Sequence, residues 1–176
     1  MVYERERLLR RKFDWVWKQR IHETVAPLQQ CGYARSADII WVHQHRDGGD
    51  SRKSRNFRIL NIMYKEDPTD KRIWLYLGHQ NFASQYWMKA AEWYLKFGTD
   101  SGAIPIERFQ ALCYCSKAMR EMKDPQAVDV ALMAVSLFPQ YKDGWLELAH
   151  SYFVIGDYDK AIHYARLSDV QESMVE

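Results

Sequence analysis

Cysteine, glycine and proline are all scarce in this 176-residue chain, at 3, 8 and 5 residues. Three cysteines (Cys31, Cys113 and Cys115) are too few, and wrongly spaced, for a disulfide framework or a four-thiolate zinc site. They fit buried free thiols in a reducing compartment. So few backbone breakers disfavour an all-β fold, which needs frequent tight turns. Long apolar runs are missing too: no uncharged stretch approaches the roughly 18–20 residues of a membrane-spanning helix. The first residues, Met1-Val2-Tyr3-Glu4-Arg5-Glu6-Arg7, are charged at once and contain no apolar signal-peptide core. The expectation is a cytoplasmic protein without a membrane span.

What is abundant is aromatic. Phe, Trp and Tyr make up 14% of the chain, with 7 Trp and 11 Tyr, inside a composition that is 47% hydrophobic and 27% charged. With a mean hydropathy of −0.51 this is globular composition, and its large side chains favour helix-on-helix packing. The net charge of +2 hides an asymmetry. Residues 1–65 hold 14 Lys and Arg against 7 Asp and Glu, whereas residues 66–176 hold 11 against 16. The chain changes character near residue 66.

A fixed period organises the acidic part. Trp145 is followed by Leu148, Ala149, Tyr152, Gly156, Tyr158 and Ala161. Thirty-four residues before Trp145 stands Ala111, then Tyr114, Cys115, Ala118, Met122, Ala127 and Ala134, closing at Pro139. Thirty-seven residues before Ala111 stands Trp74, then Leu77, Gly78, Trp87, Ala90 and Tyr94; the three extra residues fall around Ala103-Ile104-Pro105. These residues resemble the tetratricopeptide repeat. Small residues at Gly78 and Ala149, and at Ala90, Ala127 and Ala161, suit close helix crossings. Pro68 and Pro139 end helices, and Asp143-Gly144 and Gly156-Asp157 are turn chemistry. The expected fold is mainly α: a tetratricopeptide-like helical solenoid over residues 52–176, preceded by a small α+β segment over residues 1–51. A capping helix at 52–66 leads into repeats at 71–104, 108–141 and 142–176. An ordinary helical bundle with coincident aromatics is the alternative.

The N-terminal third does not repeat. Asp38-Ile39-Ile40-Trp41-Val42-His43-Gln44-His45 reads as a strand entering the loop Asp47-Gly48-Gly49-Asp50. Arg5 to Lys12 fits a strand or a short helix, and Val25 to Cys31 is undecided, with Pro27 at a turn or a first helical position. Arg7-Leu8-Leu9-Arg10-Arg11, the aromatic run Phe13 to Trp17, Arg20-Ile21-His22-Glu23, His43, His45 and Arg55-Asn56-Phe57-Arg58 follow in an order that resembles the C-terminal part of a family 2 glycosyltransferase carrying tetratricopeptide repeats. That resemblance implies transfer of a sugar from a nucleotide sugar to a protein or glycan hydroxyl. His22 would lie beside the diphosphate and a divalent metal (Mn or Mg), and Glu23 near the acceptor. An Asp-x-Asp-like metal motif and a nucleotide-binding half are lacking. The expectation is therefore a C-terminal fragment, a separately encoded half or a derivative without catalysis, combined with a nucleotide-binding partner or an acceptor protein.

Each candidate has a bland counterpart. His22 and Glu23 also fit a structural histidine and a first-turn carboxylate. His43 and His45 lie on one side of a strand, and two ligands from one strand do not make a metal site. Arg20, His43 and His45 join the binding candidates of the N-terminal third. The other function class is a non-enzymatic scaffold for protein–protein interaction, binding a peptide or helix in the groove that such repeats form. Its candidates are Asn81, Gln85, Arg120 and His150. Nucleic acid is disfavoured, because there is no recognised RNA-binding signature and no extended Lys/Arg stripe.

Overall fold

The computed structural model describes residues 14–18, 20, 24–29 and 50–171. By its internal contacts the chain divides into two compact units, one ending at Ile59 and the other beginning at Leu60.

In the first unit an antiparallel hairpin joins β1 (Trp15–Lys18) to β2 (Thr24–Pro27), with Trp15 opposite Pro27 and Lys18 opposite Thr24. The aromatic run at Phe13–Trp17 thus supplies a strand. Pro27 falls in a strand rather than at a turn or helix start; among the described residues β2 is an edge strand of a two-stranded sheet, where proline is tolerated. Asp14 and Gln29 close the open end: the Leu28 N–H donates to the Asp14 carbonyl at 2.9 Å, and the Gln29 amide donates to the Asp14 carboxylate at 3.1 Å. The strand expected at 38–45 and the segment at 5–12 lie outside the described residues. The helix α1 (Asp50–Glu66) begins in this unit and ends in the next.

The second unit continues from Leu60 as three helix pairs. They are α2 (Lys71–Ala83) with α3 (Trp87–Thr99), α4 (Pro105–Glu121) with α5 (Ala127–Leu137), and α6 (Lys142–Val154) with α7 (Tyr158–Ser168). Each helix packs on the next in sequence, and α4 also packs on α6. This is a tetratricopeptide-type solenoid, as the repeat pattern leads one to expect. Caps are visible at the residue level. Asp70 accepts a hydrogen bond from the Arg72 N–H at the start of α2, and Asp157 one from the Lys160 N–H at the start of α7.

The same chemistry recurs from pair to pair. The Trp74 indole donates to the Pro68 carbonyl at 2.9 Å, and the Trp145 indole to the Pro139 carbonyl at 2.7 Å. Every first helix ends in the same motif. The Tyr86, Asp124 and Asp157 N–H groups reach back to the Asn81, Met119 and Tyr152 carbonyls, while those of Gln85, Lys123 and Gly156 reach Phe82, Arg120 and Phe153. Gln85, Lys123 and Gly156 are the left-handed residues such a cap requires, with φ of 60°, 56° and 86°.

These caps correct the repeat register. They lie 38 and 33 residues apart, not 37 and 34. In α4 the tryptophan position is therefore held by Leu112, not Ala111, and the small position by Ser116, not Cys115. The Ser116 hydroxyl donates to the Ala127 carbonyl across the helix crossing at 2.8 Å. In the second helices the 37- and 34-residue spacing of Ala90, Ala127 and Ala161 is kept, and all three are buried. The middle turn is simply one residue shorter. The extra residues before it become an added first turn of α4, from Pro105, rather than a longer loop.

The core runs along the stack. Tyr94, Phe97, Phe109, Leu112 and Cys115 are buried between the first two pairs, and Val128, Ala131 and Leu148 between the last two. At the N-terminal side the Lys96 ammonium sits 3.9 Å from the Trp74 ring centroid and about 5.5 Å from those of Trp93 and Tyr64. Tyr64 meets Trp93 edge-on at 5.1 Å, tying the end of α1 to α3.

Candidate functional site

With the corrected register, the first helices α2, α4 and α6 present equivalent residues in rows. One row is His79, Lys117 and His150. The row one turn before it is Tyr76, Tyr114 and Glu147, and the row three residues after it is Phe82, Arg120 and Phe153. Contacts between neighbouring helices cross from one row to another. Tyr114 lies against His79 and Phe82, with centroids 5.6 and 5.5 Å apart. The Lys117 ammonium is 5.8 Å from the Phe82 centroid. Arg120 pairs with Glu147 at 2.6 Å.

The face is anchored from beneath. His79 Nδ1 is 2.8 Å from the hydroxyl of buried Tyr94, and Tyr94 stacks on Tyr114. Burial pushes the Tyr94 phenol well above its ordinary range, with Tyr114 and Cys115 adding to the shift, so it stays neutral. Arg72 donates from Nε to the Tyr76 hydroxyl at 2.8 Å. Arg120 pairs with Glu147, and Arg72 and Lys117 add cations beside the exposed Tyr114 ring, while Asp143 stands on α6 at the position equivalent to Arg72.

The expected site residues divide sharply. His22, Glu23, His43 and His45 lie outside the described residues. Arg20 is exposed, beyond the end of β1. Asn81 is no groove residue: it is 3% exposed, and its side-chain amide donates to the Leu77 carbonyl at 2.7 Å. It stands where repeat three has Tyr152, on the side of the helix turned to its partner. Gln85 is exposed but belongs to the turn, where its positive φ does the work of Gly156. Arg120 is committed to Glu147. Of the four groove candidates, His150 lies exposed on α6 in the row described above. His79 was missed, although its separation from His150 equals that of Trp74 from Trp145.

Burial raises the Cys115 thiol to about 12, and its S–H lies 3.3 Å from the Ala91 carbonyl. The Cys113 thiol is also raised, first by burial and then by Glu147 and Asp143. Neither thiol is poised as a nucleophile. Among the described residues no group of three His, Cys, Asp or Glu is placed to hold a metal ion. No helix there is long and apolar enough to cross a membrane.

The architecture has solved counterparts. "MamA MSR-1 C2" superposes with a TM-score of 0.59 at 17% identity, over 67% of this chain and 66% of that one. "Crystal structure of MamA" matches with a TM-score of 0.57 at 23% identity, over 71% and 74%. "MamA AMB-1 P212121" gives 0.59 at 19%, over 66% and 67%. MamA is a tetratricopeptide-like helical protein, and at these identities the likeness is one of fold alone. The chain spans about two thirds of the length of the first of these structures. No family model matches the chain, and no curated protein matches it. Nothing in these matches points to a glycosyltransferase.

Proposed function

We propose that this chain is a non-enzymatic protein-binding module whose first-helix face takes up a peptide segment of a partner protein. The observation that carries this is the row His79, Lys117 and His150, equivalent positions on three successive helices, beside the exposed ring of Tyr114. Stacked helix pairs offer a continuous surface to an extended or helical peptide. Arg72 and Lys117 beside the Tyr114 ring suit a segment with carboxylates next to apolar side chains.

The test is a selection from a random peptide library on the full chain, followed by affinity measurements on variants. Tyr114→Ala and Lys117→Glu should each weaken the selected acidic peptides by about tenfold, roughly 1.4 kcal/mol, with helical content unchanged. Equal affinity for both variants and the parent would refute the assignment of this face.

A further inference from the structure

The first-helix face carries its charges in an order, and that order follows the stack. One turn before the row of Tyr76, Tyr114 and Glu147 stand Arg72 on α2, Gln110 on α4 and Asp143 on α6. The sign passes from positive through neutral to negative in two steps. Contacts hold these ends in place. Arg72 is exposed and donates from Nε to the Tyr76 hydroxyl at 2.8 Å, with its guanidinium carbon 5.6 Å from that ring's centroid. On α6 the Glu147 carboxylate reaches Arg120 of α4 at 2.6 Å. Asp143 lies one turn earlier on the same side of the helix, and after burial it is Glu147 and Asp143 that raise the thiol of Cys113 on α4.

Lys117 of α4 leans toward α2, its ammonium 5.8 Å from the Phe82 centroid. Across these four rows Arg120 and Glu147 are set against each other. Arg72 and Lys117 then mark the α2 end and the middle of the face, and Asp143 marks the α6 end. The exposed ring of Tyr114 stands between them. Two steps between neighbouring packed helices, about 8–10 Å each, separate Arg72 from Asp143, which an extended chain crosses in about six residues.

We infer that this face takes up a bipolar segment of its partner: Asp or Glu against Arg72 and Lys117, an apolar side chain on Tyr114, and Lys or Arg about six residues from the carboxylate, against Asp143. The assignment rests on the peptide-binding reading of this face and adds to it a second charge and a spacing. A uniformly acidic segment would bring a carboxylate onto Asp143, and a uniformly basic one would meet Arg72 and Lys117.

The experiment selects peptides from a random library on the full chain and, separately, on its Asp143→Lys variant. The parent is expected to enrich bipolar peptides and the variant doubly acidic ones. Changing the basic residue of a parent-selected peptide to Glu should weaken it about tenfold on the parent and strengthen it about tenfold on Asp143→Lys, read by anisotropy of the fluorescein-labelled peptides. Asp143 lies in the first turn of α6, where a lysine opposes the helix dipole. Asp143→Asn is therefore measured alongside, with circular dichroism for both, and should abolish the preference without reversing it. Peptides that need Tyr114 yet bind equally well with Lys or Glu at that position would overturn the bipolar assignment while leaving the face a peptide site. Binding that ignores Tyr114→Ala would remove the face itself. A dimer of the chain that Asp143→Lys dissociates would also overturn the inference, assigning the charge order to a second copy.

Discussion

Single atoms decide where this solenoid tolerates change. A Cβ built at Gly78 would stand 2.7 Å from the Tyr94 ring, which is buried and held by His79. A rigid ring cannot swing aside as a flexible chain end would. Gly78→Ala should therefore destabilise by about 1–3 kcal/mol despite alanine's better helix propensity, as read by urea denaturation. The same tight packing protects the thiols. Cys113 and Cys115 should react with a maleimide at pH 8 only after denaturation, as peptide mapping would show; labelling of either in the native chain would contradict the burial that raises both thiols. Gly78 was legible from the repeat pattern, because the pattern encodes a steric requirement. Asn81 was not: a polar residue in an aromatic's place reads as exposed until its amide is seen to satisfy the Leu77 carbonyl.

At the scale of helices, the caps hold the register. Gln85 and Lys123 occupy left-handed backbone that glycine adopts without strain, as Gly156 does. Gln85→Gly and Lys123→Gly should each stabilise by about 0.5–1 kcal/mol, and Gly156→Ala should destabilise by a similar amount, read as shifts in Tm. Equal effects of all three would contradict the shared cap. The helices themselves were legible, because Trp74, Trp145, Ala90, Ala127 and Ala161 mark pairs at crossings that geometry repeats. The middle register was not. Leu112, Ser116 and Lys123 replace the tryptophan, the small apolar residue and the glycine that signal it, and a turn one residue shorter shifted the first helix against the second. That shift hid the row of His79, Lys117 and His150, which is visible only once Lys117 is known to be their equivalent. The hairpin was not legible: the aromatic run Phe13 to Trp17 carries no strand signal of its own beyond its composition, and Pro27 left Val25 to Cys31 undecided.

For the whole molecule, the solenoid separates two surfaces by chemistry. The first helices carry cations and aromatics over a ring-stacked base, while the last pair ends in exposed Phe153, Tyr158 and Ile162. The resemblance to a glycosyltransferase rested on segments around His22 and Glu23, which lie outside the described residues; the repeats led to the part of the account that solved structures support. The central claim is that the first-helix face binds a peptide. The most direct measurement is a map of amide chemical-shift changes on the isotope-labelled full chain when a library-selected peptide is added. The account predicts changes concentrated on α2, α4 and α6 around His79, Tyr114, Lys117 and His150. Changes confined to the outer sides of α3 and α5, around Met88, Leu132 and Met133, would contradict it.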